Sequence, residues 1–300
     1  GRAMELDPFW IGGAILSGIY FGDRCSPVSS SANLVCVLTK TDIYENIREM
    51  IKTSLVPFAA TCILYYVVGR SMSAGNGRMD VEGLFSNRFV LHWSAVIPAA
   101  IILVLSVLRV EVKKTMLISI VLAAFLSVAL QGRTIGEILQ MCLTDYQAND
   151  PALNAMMNGG GLKSMIKVAA IVSLSSCYAG IFEGTGLLKP IQGKIEALSR
   201  KITPFGATFA VAAVASMIAC NQTLSIMLTH QLCKEGNPDN KRFAIDLENT
   251  AVVLAPLVPW SIAGAVPLAA VGAPIASVVV ASYLYILPIW SFLVRLIRRS

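Results

Sequence analysis

Residues 18–33 read GIYFGDRCSPVSSSAN and are flanked by two apolar segments, Trp10 to Ile19 and Leu34 to Leu38. The stretch combines an acid, a base, glycines, a proline and small hydroxyl side chains. At membrane depth a buried charge costs about 2.5–3.5 kcal/mol on insertion scales, and Gly and Pro interrupt the helix that would satisfy the backbone. Such a stretch is tolerated mainly where polar groups line a cavity, so it predicts an ion or substrate site.

The composition around this stretch indicates a membrane protein. The chain has 300 residues, of which 55% are hydrophobic and 14% charged, and its mean hydropathy is +0.67. Soluble domains carry about 25% charged residues. The apolar runs recur with polar punctuation about every 20 to 30 residues, as bilayer spans do. We therefore predict an all-α polytopic membrane protein whose main partner is the lipid bilayer.

The basic residues predict the orientation of the chain. They cluster in residues 109–114, in residues 189–201 and in the tail at 295–299. Cytoplasmic loops of membrane proteins are enriched in Lys and Arg, so these segments and the C-terminus are assigned to the cytoplasmic side of a cell membrane. The net charge of +6 is explained in this way and does not indicate nucleic-acid binding.

Two classes of chemistry are not indicated. The seven cysteines form no Cys-x-x-Cys pair and accompany no histidine cluster, so they are predicted to be free thiols and no cofactor is expected. An intramembrane hydrolase is disfavoured because no His-x-x-x-His pair or Ser/His dyad is visible. A transporter is favoured over an enzyme.

The chain is predicted to contain an interfacial helix, several spans and two interrupted blocks. The interfacial helix is assigned to residues 41–52. The spans are assigned to residues 53–69, 89–110, 115–130, 164–182 and 274–296. The interrupted blocks are residues 204–233 and 247–272, and parity requires one to cross as a broken helix and the other to return as a re-entrant hairpin. Because prolines and glycines are frequent in residues 247–272, we assign the hairpin to that block.

Two polar clusters resemble each other and suggest an inverted repeat. The first joins residues 22–24 to residues 29–33, and the second joins residues 220–223 to residues 248–250 and to the turn at residues 256–261. Half-helix N-termini attract anions and exposed carbonyls attract cations, so facing clusters of this kind make an ion or carboxylate site. Residues 1–130 would be the remainder of a first repeat with connecting spans. Residues 131–300 would be the second repeat of a single integral membrane unit.

At these residues the chain resembles a known family. Residues 18–34 are similar to the Gly-Asp-x-x-Ser-Pro-x-Ser-x-x-x-Asn signature of the NhaC family of sodium/proton antiporters, in the ion transporter superfamily. Further similar stretches are residues 160–165 with 183–186, residues 221–226 and residues 247–260. The resemblance implies a secondary transporter that exchanges sodium ions for protons by alternating access. Family members are usually longer at the N-terminus, so the chain resembles their C-terminal two-thirds and an N-terminal segment is expected to be missing.

The candidate ion- and substrate-binding residues all come from the two clusters. They are Asp23, Arg24, Ser29, Ser31, Asn33, Asn221, Thr223, Glu248, Asn249 and Thr250. Asp23 is assigned the coupled charge, because a cation-binding acid must exchange its protonated and ionised forms. The proposed sodium ligands are Asp23, Asn33, Glu248 and Thr250. Asp246 is assigned to a loop.

Two alternative functions remain open. Many family members carry an acid where this chain has Asn221, and Arg24 is suited to an anion. Both features favour a sodium- or proton-coupled organic-acid exchanger, of malate or lactate type, with the same fold. The other alternative is a non-transporting subunit or degenerate remnant that needs a partner chain to supply the missing spans. A homodimer is a separate prediction for the partner of this chain.

Overall fold

A computed structural model describes residues 7–71, 89–90, 92–108, 110–147, 161–186, 193–194 and 202–297. Within these ranges the regular structure is helical and no strand is present, which confirms the predicted all-α class. Residues 109, 189–192, 195–201, 298 and 299 of the predicted basic segments lie outside the described ranges, as does residue 160 of the stretch 160–165.

The chain divides into two compact units, residues 1–77 with 172–300 and residues 78–171. This division follows packing, so it does not test the predicted repeat boundary between residues 130 and 131. In the first unit the helices are α1 (Pro8–Arg24), α2 (Ser30–Thr39) and α3 (Ile43–Ser71). The second unit contains α4 (Ile97–Val107), α5 (Val112–Gln131) and α6 (Ile135–Leu143), and α7 (Leu162–Thr185) begins in it.

The first unit also contains the end of α7, and its remaining described helices follow residue 202. They are α8 (Pro204–Ala219), α9 (Gln222–Cys233), α10 (Asn240–Glu248), α11 (Ala251–Leu254), α12 (Ile262–Ala270) and α13 (Ser282–Ile297). Short 3-10 helices occupy Trp93–Val96, Lys234–Gly236, Ala255–Leu257 and Ile275–Val280.

Three helical segments among the described residues are long and apolar enough to cross a membrane: Ile43–Ser71, Val112–Gln131 and Ile275–Ile297. The last two are long apolar helices at the positions predicted for the spans 115–130 and 274–296. The interfacial helix predicted at 41–52 and the span predicted at 53–69 are instead one helix, α3. Pro57 does not divide it, and the charged residues Glu45, Arg48 and Glu49 are exposed in its first turns.

Residues 204–233 fold back on themselves, which differs from the broken crossing predicted for this block. Cys220 has a positive φ of 56°, which ends α8 and reverses the chain before α9. Beyond the turn, the Ser216 and Ser225 hydroxyls lie 2.7 Å apart on facing sides of α8 and α9. The count of prolines and glycines predicts where a helix breaks, but the direction after the break depends on the backbone angles of one or two residues.

The second interrupted block bends without a complete reversal. The segments Asn240–Leu257 and Ile262–Ala270 meet at 61°, and this angle is compatible with either a broken span or a re-entrant loop. The hairpin assigned to residues 247–272 therefore stays a prediction. The turn is anchored to the α8–α9 turn, because the Ile262 amide donates to the Cys220 carbonyl oxygen at 2.9 Å.

Two glycines let α1 lie directly against Ile275–Val280. A Cβ atom on Gly12 would fall 2.5 Å from Ser277 Oγ, and one on Gly13 would fall 2.6 Å from Val280 Cγ2 and 2.8 Å from the Val280 carbonyl oxygen. This contact closes one hydrophobic cluster of the first unit. Its buried members are Leu16, Tyr20, Val253, Leu268, Val278, Ala281, Tyr283, Leu284 and Leu287. The cluster places the C-terminal end of α1 beside the break that follows α10.

We expect Gly13→Ala to destabilise the protein by about 1–3 kcal/mol, because the new methyl group overpacks the contact with Val280. Gly18→Ala is the matched control on the same helix, since Gly18 is exposed and nothing lies within 4 Å of its added Cβ. Thermal unfolding in detergent measures both. An equal melting temperature for the two variants would contradict the close packing of α1.

Candidate functional site

The loop between α1 and α2 is held in one shape by its own polar side chains. Ser29 is the N-cap of α2, and its hydroxyl accepts from the Ala32 amide at 3.2 Å. The Asn33 side-chain nitrogen donates to the carbonyl oxygens of Pro27 (3.0 Å) and Ser29 (2.6 Å). These bonds satisfy backbone groups that the interrupted helix leaves free. Asn33 therefore shapes the loop with its amide nitrogen.

Asp23 is the centre of a hydroxyl and amide cluster. Ser29 Oγ donates to Asp23 Oδ1 at 2.7 Å, and Ser31 Oγ donates to Asp23 Oδ2 at 2.5 Å. The amide nitrogen of Gln222, the first residue of α9, lies 3.4 Å from the same Oδ2. The half-buried carboxylate thus meets the N-terminal ends of two helices, α2 and α9.

Asn221 and Thr223, which the sequence singles out, do not provide the contact from α9. Asn221 is the N-cap: its Oδ1 accepts from the Leu224 amide at 2.9 Å, and its Nδ2 donates to the Ala219 carbonyl oxygen at 3.1 Å. Thr223 is not among the hydrogen-bond partners of Asp23. The residue that reaches Asp23 is Gln222, which lies in the same quoted stretch.

Arg24 is completely buried, with 0% of its surface exposed, and donates four hydrogen bonds. Nε bonds the backbone carbonyl oxygen of Glu248 at 3.0 Å, and Nη2 bonds Asn249 Oδ1. Nη1 bonds Ser54 Oγ at 2.6 Å and the Tyr283 hydroxyl at 2.8 Å. Four of its five N–H groups therefore have protein acceptors. For an anionic substrate, Arg24 has one N–H group beyond those used in these four bonds.

The break after α10 supplies the third part of the site. Thr250 separates α10 from α11, and its hydroxyl donates to the Asp246 carbonyl oxygen at 2.6 Å. Asn249 Nδ2 also donates to Ser291 Oγ at 3.0 Å. The Glu248 side chain is only 1% exposed, and its Oε2 has no hydrogen-bond partner among the described residues. Glu248 interacts electrostatically with both Arg24 and Asp23.

The structure therefore joins most of the predicted residues, in two linked groups. The first is Asp23, Ser29 and Ser31, to which Gln222 is added. The second is Arg24, Glu248 and Asn249, to which Ser54, Tyr283 and Ser291 are added. Sequence reasoning missed the added residues of the second group because single hydroxyl side chains in apolar helices carry no local signal. The sequence gives no signal that separates Gln222 from its neighbours Asn221 and Thr223.

Asp246 is not a loop residue, and this prediction is wrong. It lies in α10, is 1% exposed and forms an ion pair with Arg295 in the last turn of α13. The Arg295 guanidinium also lies 5.8 Å from the centre of the Phe205 ring. A buried carboxylate needs a paired charge, and Arg295 is 49 positions away, where spacing gives no indication of contact.

The donor set is suited to a hard cation. The Asp23 carboxylate meets the hydroxyls of Ser29 and Ser31, and the Gln222 amide links it to the Val252 carbonyl oxygen. Carboxylate, hydroxyl and carbonyl oxygens are the ligands of hard cations. Within the described part of the chain, no three His, Cys, Asp or Glu side chains come together as a transition-metal site would require. All seven cysteines are free thiols.

Comparison with known proteins gives a consistent match. A model described as the Na+/H+ antiporter family matches residues 18–297. The malate-2H(+)/Na(+)-lactate antiporter of Bacillus subtilis (strain 168) is 29% identical over 265 residues, covering 84% of this chain and 56% of that protein. The Na(+)/H(+) antiporter NhaC of the same organism is 26% identical, covering 97% of this chain and 67% of that protein.

A second Na(+)/H(+) antiporter NhaC, from Alkalihalophilus pseudofirmus, is 23% identical over 88% of this chain and 60% of its own length. The chain thus spans between about half and two-thirds of the length of these relatives. No solved structure matches.

We expect Arg24→Lys to lower the free energy of unfolding by about 1.5–3 kcal/mol, because an ammonium group has three donors and must lose at least one of the four bonds. Arg48→Lys, on the exposed start of α3, is the control and should change stability by less than about 0.5 kcal/mol. Thermal unfolding in detergent measures the difference. Equal stability of the two variants would show that the bonds of Arg24 do not hold the site together.

Proposed function

The chain belongs to the Na+/H+ antiporter family, and on this premise we propose that it exchanges sodium ions for protons across the membrane by alternating access. It is a multi-pass membrane protein, with apolar helices long enough to cross a bilayer. The exchange itself is a proposal because the chain spans only part of the length of its relatives.

The observation that carries the proposal is the position of Asp23. Its carboxylate lies where two interrupted helix pairs, α1–α2 and α8–α9, meet. The hydroxyls of Ser29 and Ser31 donate hydrogen bonds to this carboxylate, and their oxygens retain lone pairs that can bind a cation. Interrupted helices at membrane depth are the usual setting of ion sites in secondary transporters.

The exchange follows from the charge of this carboxylate. An ionised carboxylate away from bulk water is costly unless a cation or a proton compensates it. Sodium and protons would therefore compete for the cluster around Asp23. Arg24 is not among the hydrogen-bond partners of Asp23, since four of its N–H groups bond Ser54, Tyr283, Asn249 and the backbone of Glu248.

Alternating access would use the similarity of the two interrupted pairs. Ser29 and Asn221 are both N-caps, and each begins a helix whose first turn faces Asp23. This arrangement supports the inverted repeat. The close contact that Gly12 and Gly13 allow between α1 and Ile275–Val280 would keep these two segments together as one rigid body during the motion.

By the positive-inside rule we place the protein in the cell membrane with a cytoplasmic C-terminus. A tag after Ser300 that is reachable only from outside would contradict this orientation.

A second candidate is sodium- or proton-coupled exchange of organic acids. It is favoured by the relative at 29% identity whose name specifies malate and lactate. An increase in the melting temperature of the protein on addition of malate or lactate, with no increase on addition of sodium, would support this candidate. The Asp23 cluster would then bind the coupling ion. The carboxylate substrate would need donors other than those Arg24 already uses.

We expect Asp23→Asn to abolish sodium-driven proton movement, because the amide cannot exchange a proton for a cation. The assay follows an internal pH dye in proteoliposomes that hold this chain, or the complete reading frame that encodes it, after sodium is added outside. The control is Glu49→Gln, which removes only an exposed pair with Lys52 and should retain the wild-type rate, since such pairs contribute little. Full activity of Asp23→Asn would contradict the proposal.

A further inference from the structure

We infer that the side-chain amide of Gln222 donates to two oxygens of the cation site while no cation is bound, and turns its own oxygen toward the cation when one is bound. This inference rests on the proposed sodium exchange and adds one ligand to it. Nothing in the sequence resemblance assigned Gln222 a role.

The amide nitrogen of Gln222 lies between two oxygen atoms. Gln222 Nε2 lies 3.1 Å from the Val252 carbonyl oxygen and 3.4 Å from Asp23 Oδ2. The two acceptors belong to α11 and α1, so the amide bridges the break after α10 and the end of α1. The nitrogen therefore lies between a carboxylate oxygen and a carbonyl oxygen. Oxygens of these two kinds are the ligands that hard cations prefer.

The two neighbouring oxygens determine the orientation of the Gln222 amide. Both neighbours are acceptors, so the amide must present its N–H groups to them. A cation held by the same two oxygens would repel these N–H groups. The carbonyl oxygen and the nitrogen of a glutamine occupy nearly the same space, and the terminal torsion has a broad, roughly two-fold preference. Turning by half a revolution therefore replaces the donor with a ligand and needs no backbone motion.

The Gln222 amide stabilises the site while no cation is bound. A carbonyl oxygen left without a donor costs free energy, as does a carboxylate that loses one of its donors. The neutral amide supplies donors to both Val252 and Asp23 without adding charge. The N-cap Asn221 fixes the first turn of α9, and with it the base of the Gln222 side chain. Gln222 thereby lowers the cost of the empty state and provides an oxygen to the loaded one.

The experiment compares Gln222→Met, Gln222→Glu and Gln231→Met in the proteoliposome assay, with sodium varied at fixed pH. Methionine keeps the length of glutamine but removes the ligand, so the sodium concentration for half-maximal exchange should rise about tenfold or more. The maximal rate at saturating sodium should fall less than this concentration rises. Gln222→Glu keeps an oxygen and adds a negative charge beside Asp23, so half-maximal exchange should need less sodium. Gln231→Met, on the same helix and half-buried, is the matched control and should retain wild-type values.

An unchanged sodium requirement in Gln222→Met, or a higher one in Gln222→Glu, would overturn the inference. If Gln222→Met fails to fold in a detergent melting assay, the isosteric Gln222→Glu decides alone. The wild-type protein separates the two proposals. Absence of sodium-driven proton movement in it overturns the proposed function and this inference with it, whereas wild-type exchange with insensitive Gln222 variants overturns only the inference.

Discussion

The guanidinium of Arg24 is the interaction on which the rest of the site depends. It carries a full charge with none of its surface exposed, so every bond it loses is costly. Its acceptors come from α3, from the residues around the break after α10 and from α13. The network closes on itself, because the Tyr283 hydroxyl also donates to Ser54 Oγ at 3.0 Å. Elements far apart in sequence are thereby held around the C-terminal end of α1.

This constraint separates the roles of two adjacent residues. The buried Arg24 side chain uses four N–H groups in hydrogen bonds that hold helices together. Asp23 instead contacts hydroxyl and amide groups that can rearrange. Hydroxyls donate or accept as needed, and an amide presents either end. The cluster around Asp23 therefore tolerates a change of occupant, whereas the network around Arg24 does not. A transporter needs both properties side by side, since its ion must leave without loss of the fold.

The local part of the site could be predicted from sequence, but its long-range part could not. Asp23, Ser29 and Ser31 lie within nine residues, and an interrupted helix brings such neighbours together in most geometries. The bonds from Gln222 to Asp23 and from Arg24 to Tyr283 join residues 199 and 259 positions apart, and no pattern in one sequence encodes them. The fold shows the same limit. Apolar runs predicted the helices at Val112–Gln131 and Ile275–Ile297 within a few residues, but the reversal at Cys220 depends on one backbone angle.

The measurement that tests the central claim most directly is the pH dependence of sodium binding to the purified protein. If sodium and protons compete for the Asp23 cluster, radioactive sodium should bind more weakly as the pH falls, and adding sodium to a weakly buffered sample should release protons. Both effects should disappear when the carboxylate of Asp23 is removed. Sodium binding that is tight, independent of pH and unaccompanied by proton release would contradict the account.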